Sequence, residues 1–344
     1  MPGKCSGSHR PRRGRTAQCG PYNACSYKTS PFTALAADGL VRNPKGTDKE
    51  TALLQEALRR DPRSRTARIL LLRQMAASGD LAGAFTQLAV FSRLNPGLVV
   101  TIMEAITTRI TTPQQVDEAL VAIDNHAILY RPFVMRMSGK RKNPDVVLRL
   151  AERLPADVMA DPEVRASMVA QLVQAGEYAI ARNLWQKGNP AGASGLLHSP
   201  DFADTKAQPP FNWKLTVDST GAAERMRSGG ISIAYYDRNP GALAEQLLTL
   251  SPGFYRLASD FERIGGTADN VRLQIRCHGS GAVLGEAAFV PRKPGLNRLS
   301  INFAVPAFGC PGQVLAIAGV ASEDRGETQL QVRRVELTAI RGAQ

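Results

Sequence analysis

Apolar residues along this chain keep two different periods. From about Thr47 to Lys187 they recur every three or four positions, with glycine and proline at the breaks, which predicts a run of amphipathic helices. Leu70, Leu71, Leu72 and Met75 precede a break at Gly79-Asp80; Ala84, Leu88 and Phe91 follow it, and Pro96 stops the second helix. Ala84 is small enough to let two antiparallel helices approach closely, while Leu88 and Phe91 put bulk on the same face one turn later. Beyond Phe211 the period is two. Trp213, Leu215 and Val217 alternate with polar residues, as do Ile231, Ile233 and Tyr235, then Val271, Leu273, Ile275 and Cys277, and later Leu299, Ile301 and Phe303. These short runs, bounded by Gly, Pro, Asn or Asp, predict about eight to ten antiparallel strands in a sandwich between Phe211 and Arg341. In the final run Leu330 and Val332 share one parity and Val335 and Leu337 the other, which predicts a bulge at Arg333-Arg334. Pro252-Gly253, between Gln246–Leu250 and Phe254–Leu257, predicts a tight turn joining two strands as a hairpin.

The chain therefore divides into a disordered basic tail (1–45), a helical domain (46–190), a Gly/Ala/Ser/Pro-rich linker without periodicity (191–210) and a β-sandwich (211–344). The fold class is α plus β in separate domains, with the changeover near residue 200.

Internal repetition sharpens the helical part. Pro62 and Pro96, which close Ala57–Pro62 and Phe91–Pro96, stand 34 residues apart. Asp161-Pro162 opens a helix carrying Met168, Val169 and Leu172, followed by Gly176-Glu177-Tyr178, Ala181 and Trp185. The turn glycine, with an aromatic two positions on, an alanine five on and an aromatic nine on, resembles the tetratricopeptide repeat. Gly97–Ala160 departs from that spacing around Pro113, Pro132 and Pro155. The resemblance implies a solenoid of helical hairpins whose surface holds a protein partner, and it is silent on chemistry. An ordinary helical bundle is the other reading of these residues. In the carboxyl-terminal part, Pro252-Gly253 followed by Phe254-Tyr255, and the late strand from Val332 to Ile340, resemble jelly-roll domains of the carbohydrate-binding-module and galactose-binding-like class. Helical repeats followed by such a sandwich are similar to uncharacterised bacterial repeat proteins of envelope and polysaccharide systems. That likeness implies glycan or protein binding without catalysis.

Composition narrows the alternatives. Hydrophobic residues make up 43% and charged residues 21% of the 344, a globular profile, and no apolar run approaches the roughly 18–20 residues of a membrane-spanning helix. The net charge of +13 is unevenly spread: Lys4, Arg10, Arg12, Arg13, Arg15 and Lys28 fall in the first thirty residues with no acid among them. The tail lacks the interleaved aromatics of single-strand binders, so nucleic acid is not an expected partner. Residues 1–40 contain no basic stretch followed by an apolar segment of about 7–15 residues, so the sequence as written reads as cytoplasmic; a natural start elsewhere would fit a periplasmic or envelope protein. Cys277 and Cys310 either pair, implying an oxidising compartment, or stay as buried thiols; pairing is the favoured reading.

Catalytic signatures are missing from the sequence. His9, His126, His198 and His278 are too dispersed to share a helix face, and no Cys-x-x-Cys, H-E-x-x-H, G-x-S-x-G or P-loop occurs, so neither a metal nor a cofactor is expected. Gly279-Ser280-Gly281 followed by Gly285 misses the dinucleotide-binding spacing and reads as a hairpin turn. Glu245, Asp260, Glu262 and Asp269 cluster in sequence, which leaves a glycan-active hydrolase or lyase as the alternative to a binding protein. For binding, one strand stands out. With Val271, Leu273 and Ile275 inward, Arg272, Gln274 and Arg276 project outward in a row suited to bidentate hydrogen bonds with hydroxylated or carboxylated sugars. Tyr236 and Phe254 are candidate stacking platforms; Trp185 and Trp213 are expected in cores. The leading expectation is an adaptor, with a helical surface for a protein and a sandwich for a polysaccharide or second protein; a scaffold whose sandwich has no ligand is a third reading.

Overall fold

The computed structural model of the chain describes residues 30–43, 45–124, 126–138, 143–189, 195–237, 239–266, 269–320 and 326–340. Eleven α-helices precede ten β-strands among these residues. Two compact units divide the chain, one of residues 1–102 and 121–129, the other of residues 103–120 and 130–344.

In the first unit the expectation of disorder over residues 1–45 is corrected for Pro31–Arg42. Residues 1–29, with Cys5, Cys19, Cys25 and His9, lie outside the described residues, but Pro31–Arg42 is a helix, α1, with proline in its first turn. Its apolar side chains explain why: Ala36 joins Leu54, Ala57, Ala67 and Leu71 in one buried cluster, and Phe32 and Leu40 pack against it. Helix α2 (Asp48–Arg60) starts with a capping box in which the Thr47 N–H donates to the Glu50 carboxylate. Helices α3 (Arg65–Ser78) and α4 (Leu81–Leu94) form a hairpin turned by Gly79, which adopts the left-handed conformation, and capped by Asp80, whose carboxylate accepts the Gly83 N–H at 2.8 Å. Ala84, Leu88 and Phe91 are buried.

Residues of α5 (Val99–Thr107) and α6 (Pro113–Ile123) belong to both units; the second unit further contains α7 (Tyr130–Met137), α8 (Pro144–Arg153), α9 (Ala156–Ala160), α10 (Pro162–Gln174) and α11 (Tyr178–Lys187), followed by two antiparallel sheets. Helix α10 is capped by Asp161 and packs on α11 across the Gly176-Glu177 turn, with Met168, Val169, Leu172 and Ala181 buried. One sheet has the order β1 (Lys214–Leu215), β4 (Gly241–Leu248), β9 (Gln313–Gly319), β6 (Val271–Cys277), β7 (Val283–Ala288). The other runs β2 (Gly221–Arg225), β3 (Ile231–Tyr235), β10 (Thr328–Ala339), β5 (Gly253–Gly265), β8 (Asn297–Val305). Between them lies a core that includes Ile233, Tyr235, Leu257, Phe261, Leu273, Ile275, Leu315 and Ile317.

Three local expectations are corrected. Pro252-Gly253 does not close a hairpin: β4 and β5 belong to different sheets, and the turn carries the chain across the core. A sequence shows that two strands flank a turn, not that they pair. Val217 is not part of a strand running from Trp213; β1 spans two residues, and Val217 is exposed with one isolated bridge to Ala222. The segment read as a linker is packed from Leu197 onward: Leu197, His198, Phe202 and Ala207 are buried, as are Phe211 and Trp213 just beyond it. Side chains replace the ladder hydrogen bonds there. The Gln246 amide bonds both backbone groups of His198, the Asn212 amide donates to the Asp204 and Ala207 carbonyls, and Trp213 Nε1–H donates to the Ser199 carbonyl. Buried apolar residues spaced by turns leave no periodicity to detect. In β10 the pairing with β5 shifts register between Val332 and Arg334, where the side-chain parity changes.

Candidate functional site

The outer face of the β1-β4-β9-β6-β7 sheet carries a trough of about 310 Å³. Strand alternation builds it. Val271, Leu273, Ile275 and Cys277 enter the core, so Arg272, Gln274 and Arg276 stand on the outer face and form one wall. On the neighbouring β9, Leu315 and Ile317 point inward and Ala316 and Ala318, with Gly319, make the floor. Gly319 carries no side chain for a reason in the core, since a Cβ there would run into the Tyr235 ring. The far wall is Gly241 and Ala242 of β4, with Pro240 before it and Val320 at the end.

Pairing registers place the charged neighbours. One row across the sheet reads Lys214, Glu245, Ala316, Gln274, Glu286. Glu286 accepts from Arg272 Nη1 at 2.7 Å and from the Gln274 amide at 3.3 Å. Glu245 accepts from Lys214 Nζ at 2.9 Å and lies 3.9 Å from Arg276, too far for a hydrogen bond. Arg272 Nε is covered and has no hydrogen-bond partner among the described residues.

The remaining sequence candidates sit elsewhere. Phe254 is the second residue of β5 and Tyr236 comes just after β3, both strands of the other sheet, and neither lines the trough although both are exposed. The acidic cluster also separates. Asp260 accepts from Arg298 and Glu262 faces Arg333 on the β2-β3-β10-β5-β8 sheet, while Glu245 is on the opposite one. Glu245 and Glu286 share a row but stand three strand spacings apart, about 14 Å. Paired glycosidase carboxyls stand roughly 5–10 Å apart. No group of three metal-ligating side chains occurs among the described residues.

The cysteine pair singled out in the sequence closes the lower end of this sheet, and the packing beside it is what sequence reasoning missed. Cys277 and Cys310 form a disulfide with Cα atoms 5.2 Å apart, tying the end of β6 to the β8–β9 connection. Beside it, the Tyr178 ring of α11 lies on Gly312, where an added Cβ would meet the ring at 2.7 Å, and the Tyr178 hydroxyl is 2.8 Å from His278 Nδ1. Burial, then the positive charge of Arg276, hold the His278 imidazole below its ordinary value of 6.5, against the pull of Glu245. The unfolded chain therefore takes up this proton at higher pH than the folded one. The contribution to stability is complete above about pH 6.5 and is lost as pH falls through the depressed value. Thermal unfolding at pH 7.5 and at pH 5 is expected to show a smaller difference for His278→Gln than for the parent chain; an equal difference would assign the acid sensitivity to other groups.

No protein-family model matches the sequence, and no curated protein matches it. Solved structures similar in fold include a family 4 carbohydrate-binding module, 12% identical, covering 42% of this chain and 99% of its own at a TM-score of 0.33. A family 61 module solved with β-1,4-galactotriose is 13% identical, covering 42% of this chain and 98% of its own at 0.29. The xylan-binding domain CBM22-1 of Paenibacillus barcinonensis Xyn10C is 8% identical, covering 42% of this chain and 93% of its own at 0.30. Such values identify no ligand for this chain.

Proposed function

We propose that the chain is a non-catalytic adaptor whose β-sandwich binds a glycan in the trough on the β1-β4-β9-β6-β7 sheet, and whose tetratricopeptide-like helical hairpins hold a protein partner. The observation that carries the glycan half is the trough itself. A strip of Ala316, Ala318 and Gly319, low enough to admit a narrow chain, runs beside a wall of two guanidiniums and an amide. Arg, Gln and carboxylate side chains arranged around such a floor match the alternating donors and acceptors of sugar hydroxyls. The helical half is supported by the two hairpins turned at Gly79 and Gly176, each with an alanine five positions on, Ala84 and Ala181, and the second with Tyr178 and Trp185 at the aromatic positions of the repeat. The Cys277–Cys310 bond fits an oxidising compartment such as the bacterial envelope.

The test is a glycan array probed with the full chain, its folding checked by circular dichroism. Binding to at least one glycan class is expected. Signal for none of the acidic or neutral polysaccharides, from folded protein, would contradict the proposal.

A further inference from the structure

Resting on the glycan reading, we infer that the trough selects sugars bearing a carboxylate, with Arg276 as the carboxylate-binding fork and Arg272 and Gln274 positioned for neighbouring hydroxyls. Three observations point there. No aromatic ring is among the lining residues. A neutral sugar ring would meet only methyl groups and glycine on the floor, without the stacking area an indole or phenol supplies, so affinity and selectivity fall to the polar wall.

The second observation is charge. The ion pairs at and beside the trough join three cations, Lys214, Arg272 and Arg276, to two anions, Glu245 and Glu286. Lys214 holds Glu245 at 2.9 Å and Arg272 holds Glu286 at 2.7 Å. That leaves Arg276 with only a share of Glu245, at 3.9 Å, whose other oxygen Lys214 already holds. One carboxylate from a ligand completes the set.

The third is hydrogen bonding. The Arg276 guanidinium makes no hydrogen bond among the described residues; its contact with Glu245 spans 3.9 Å. A planar guanidinium with five donors and an open flank is suited to a carboxylate, which accepts two parallel N–H bonds where a lone hydroxyl accepts fewer. Gln274 stands two residues along the same strand face, where its amide oxygen can accept from a hydroxyl while its amide nitrogen stays on Glu286.

The experiment measures binding of the full chain to polygalacturonate, alginate and hyaluronan, each beside its carboxyl-esterified form, with dextran sulfate as a general polyanion. The parent chain is expected to bind at least one of the three polyuronates tenfold or more tightly than its ester. Arg276→Gln is expected to lose that preference at an unchanged melting temperature. Arg276→Lys, which keeps the charge without the fork, should retain only part of it. Equal binding of acid and ester overturns the inference while leaving the glycan reading intact. Dextran sulfate binding as tightly as the polyuronates, undiminished in Arg276→Gln, overturns it in favour of diffuse attraction by a basic chain. Failure to bind any polyuronate overturns it too; if the glycan array is also blank, the glycan reading falls with it.

Discussion

Trp185→Ala is expected to destabilise the second unit by about 3–5 kcal/mol, the range for truncating a buried tryptophan. Trp185, near the end of α11, is only 2% exposed and is held from several sides by the segment that precedes the sandwich. Its Nε1–H donates to the Gln208 carbonyl at 2.7 Å, and its ring meets His198 edge-on at 4.9 Å between centroids and Phe211 at 5.9 Å. The Arg182 guanidinium, buried in the same place, sits 5.2 Å from both the Trp185 and Phe211 rings. Removing the indole opens a cavity, strands the Gln208 carbonyl and takes away one of the two rings against which a buried cation is stabilised. Trp185→Phe keeps an aromatic body and loses the hydrogen bond, so it should fall between parent and alanine variant. Chemical denaturation of the full chain reads both. A loss below about 1 kcal/mol for the alanine variant would mean that α11 is not a structural part of the unit that contains the sheets.

The disulfide carries the second large effect. Cys277 and Cys310 are both buried and stand 33 positions apart in sequence, for which the loop-entropy account gives roughly 3–4 kcal/mol. For a unit of this size that corresponds to a fall in melting temperature on the order of 10 °C. Cys310 also lies in the connection whose Gly312 supports the Tyr178 ring, and the His278 N–H donates to the Gly312 carbonyl at 2.8 Å. Reduction should therefore loosen the Tyr178 contact before the central strands. Hydrogen exchange after reduction, with free thiols verified by mass, is expected to show early exposure at residues 306–312 and 277–281. An unchanged melting temperature in fully reduced protein would contradict this.

The two periods in the sequence carried the architecture because each reports a face that must be buried. Val271, Leu273 and Ile275 could be assigned inward, and hence Arg272, Gln274 and Arg276 outward, without knowing any partner strand. What period cannot express is neighbourhood. The floor of the trough comes from β9, which is forty residues away in sequence yet adjacent to β6 in the sheet, and its alanines read as unremarkable strand residues. Tyr236 and Phe254 looked like companions of the arginine row because they are exposed aromatics at strand ends. The order of strands puts both in the opposite sheet. Helix α1 and the packed segment from Leu197 to Trp213 were hidden for another reason. Their burial rests on a few apolar anchors, Phe32, Ala36 and Leu40 in one and Leu197, Phe202 and Phe211 in the other, inside compositions that resemble solvated chain.

The most direct measurement fills the trough. Ala318 faces outward from β9 between Ala242 and Arg272, so a longer side chain there occupies the floor without entering the core. Titration of the full chain and of Ala318→Leu with a polysaccharide that the parent binds should show at least a tenfold weaker affinity for the variant, at a melting temperature within about 2 °C of the parent. Undiminished affinity in a folded Ala318→Leu chain would place the glycan somewhere other than this sheet.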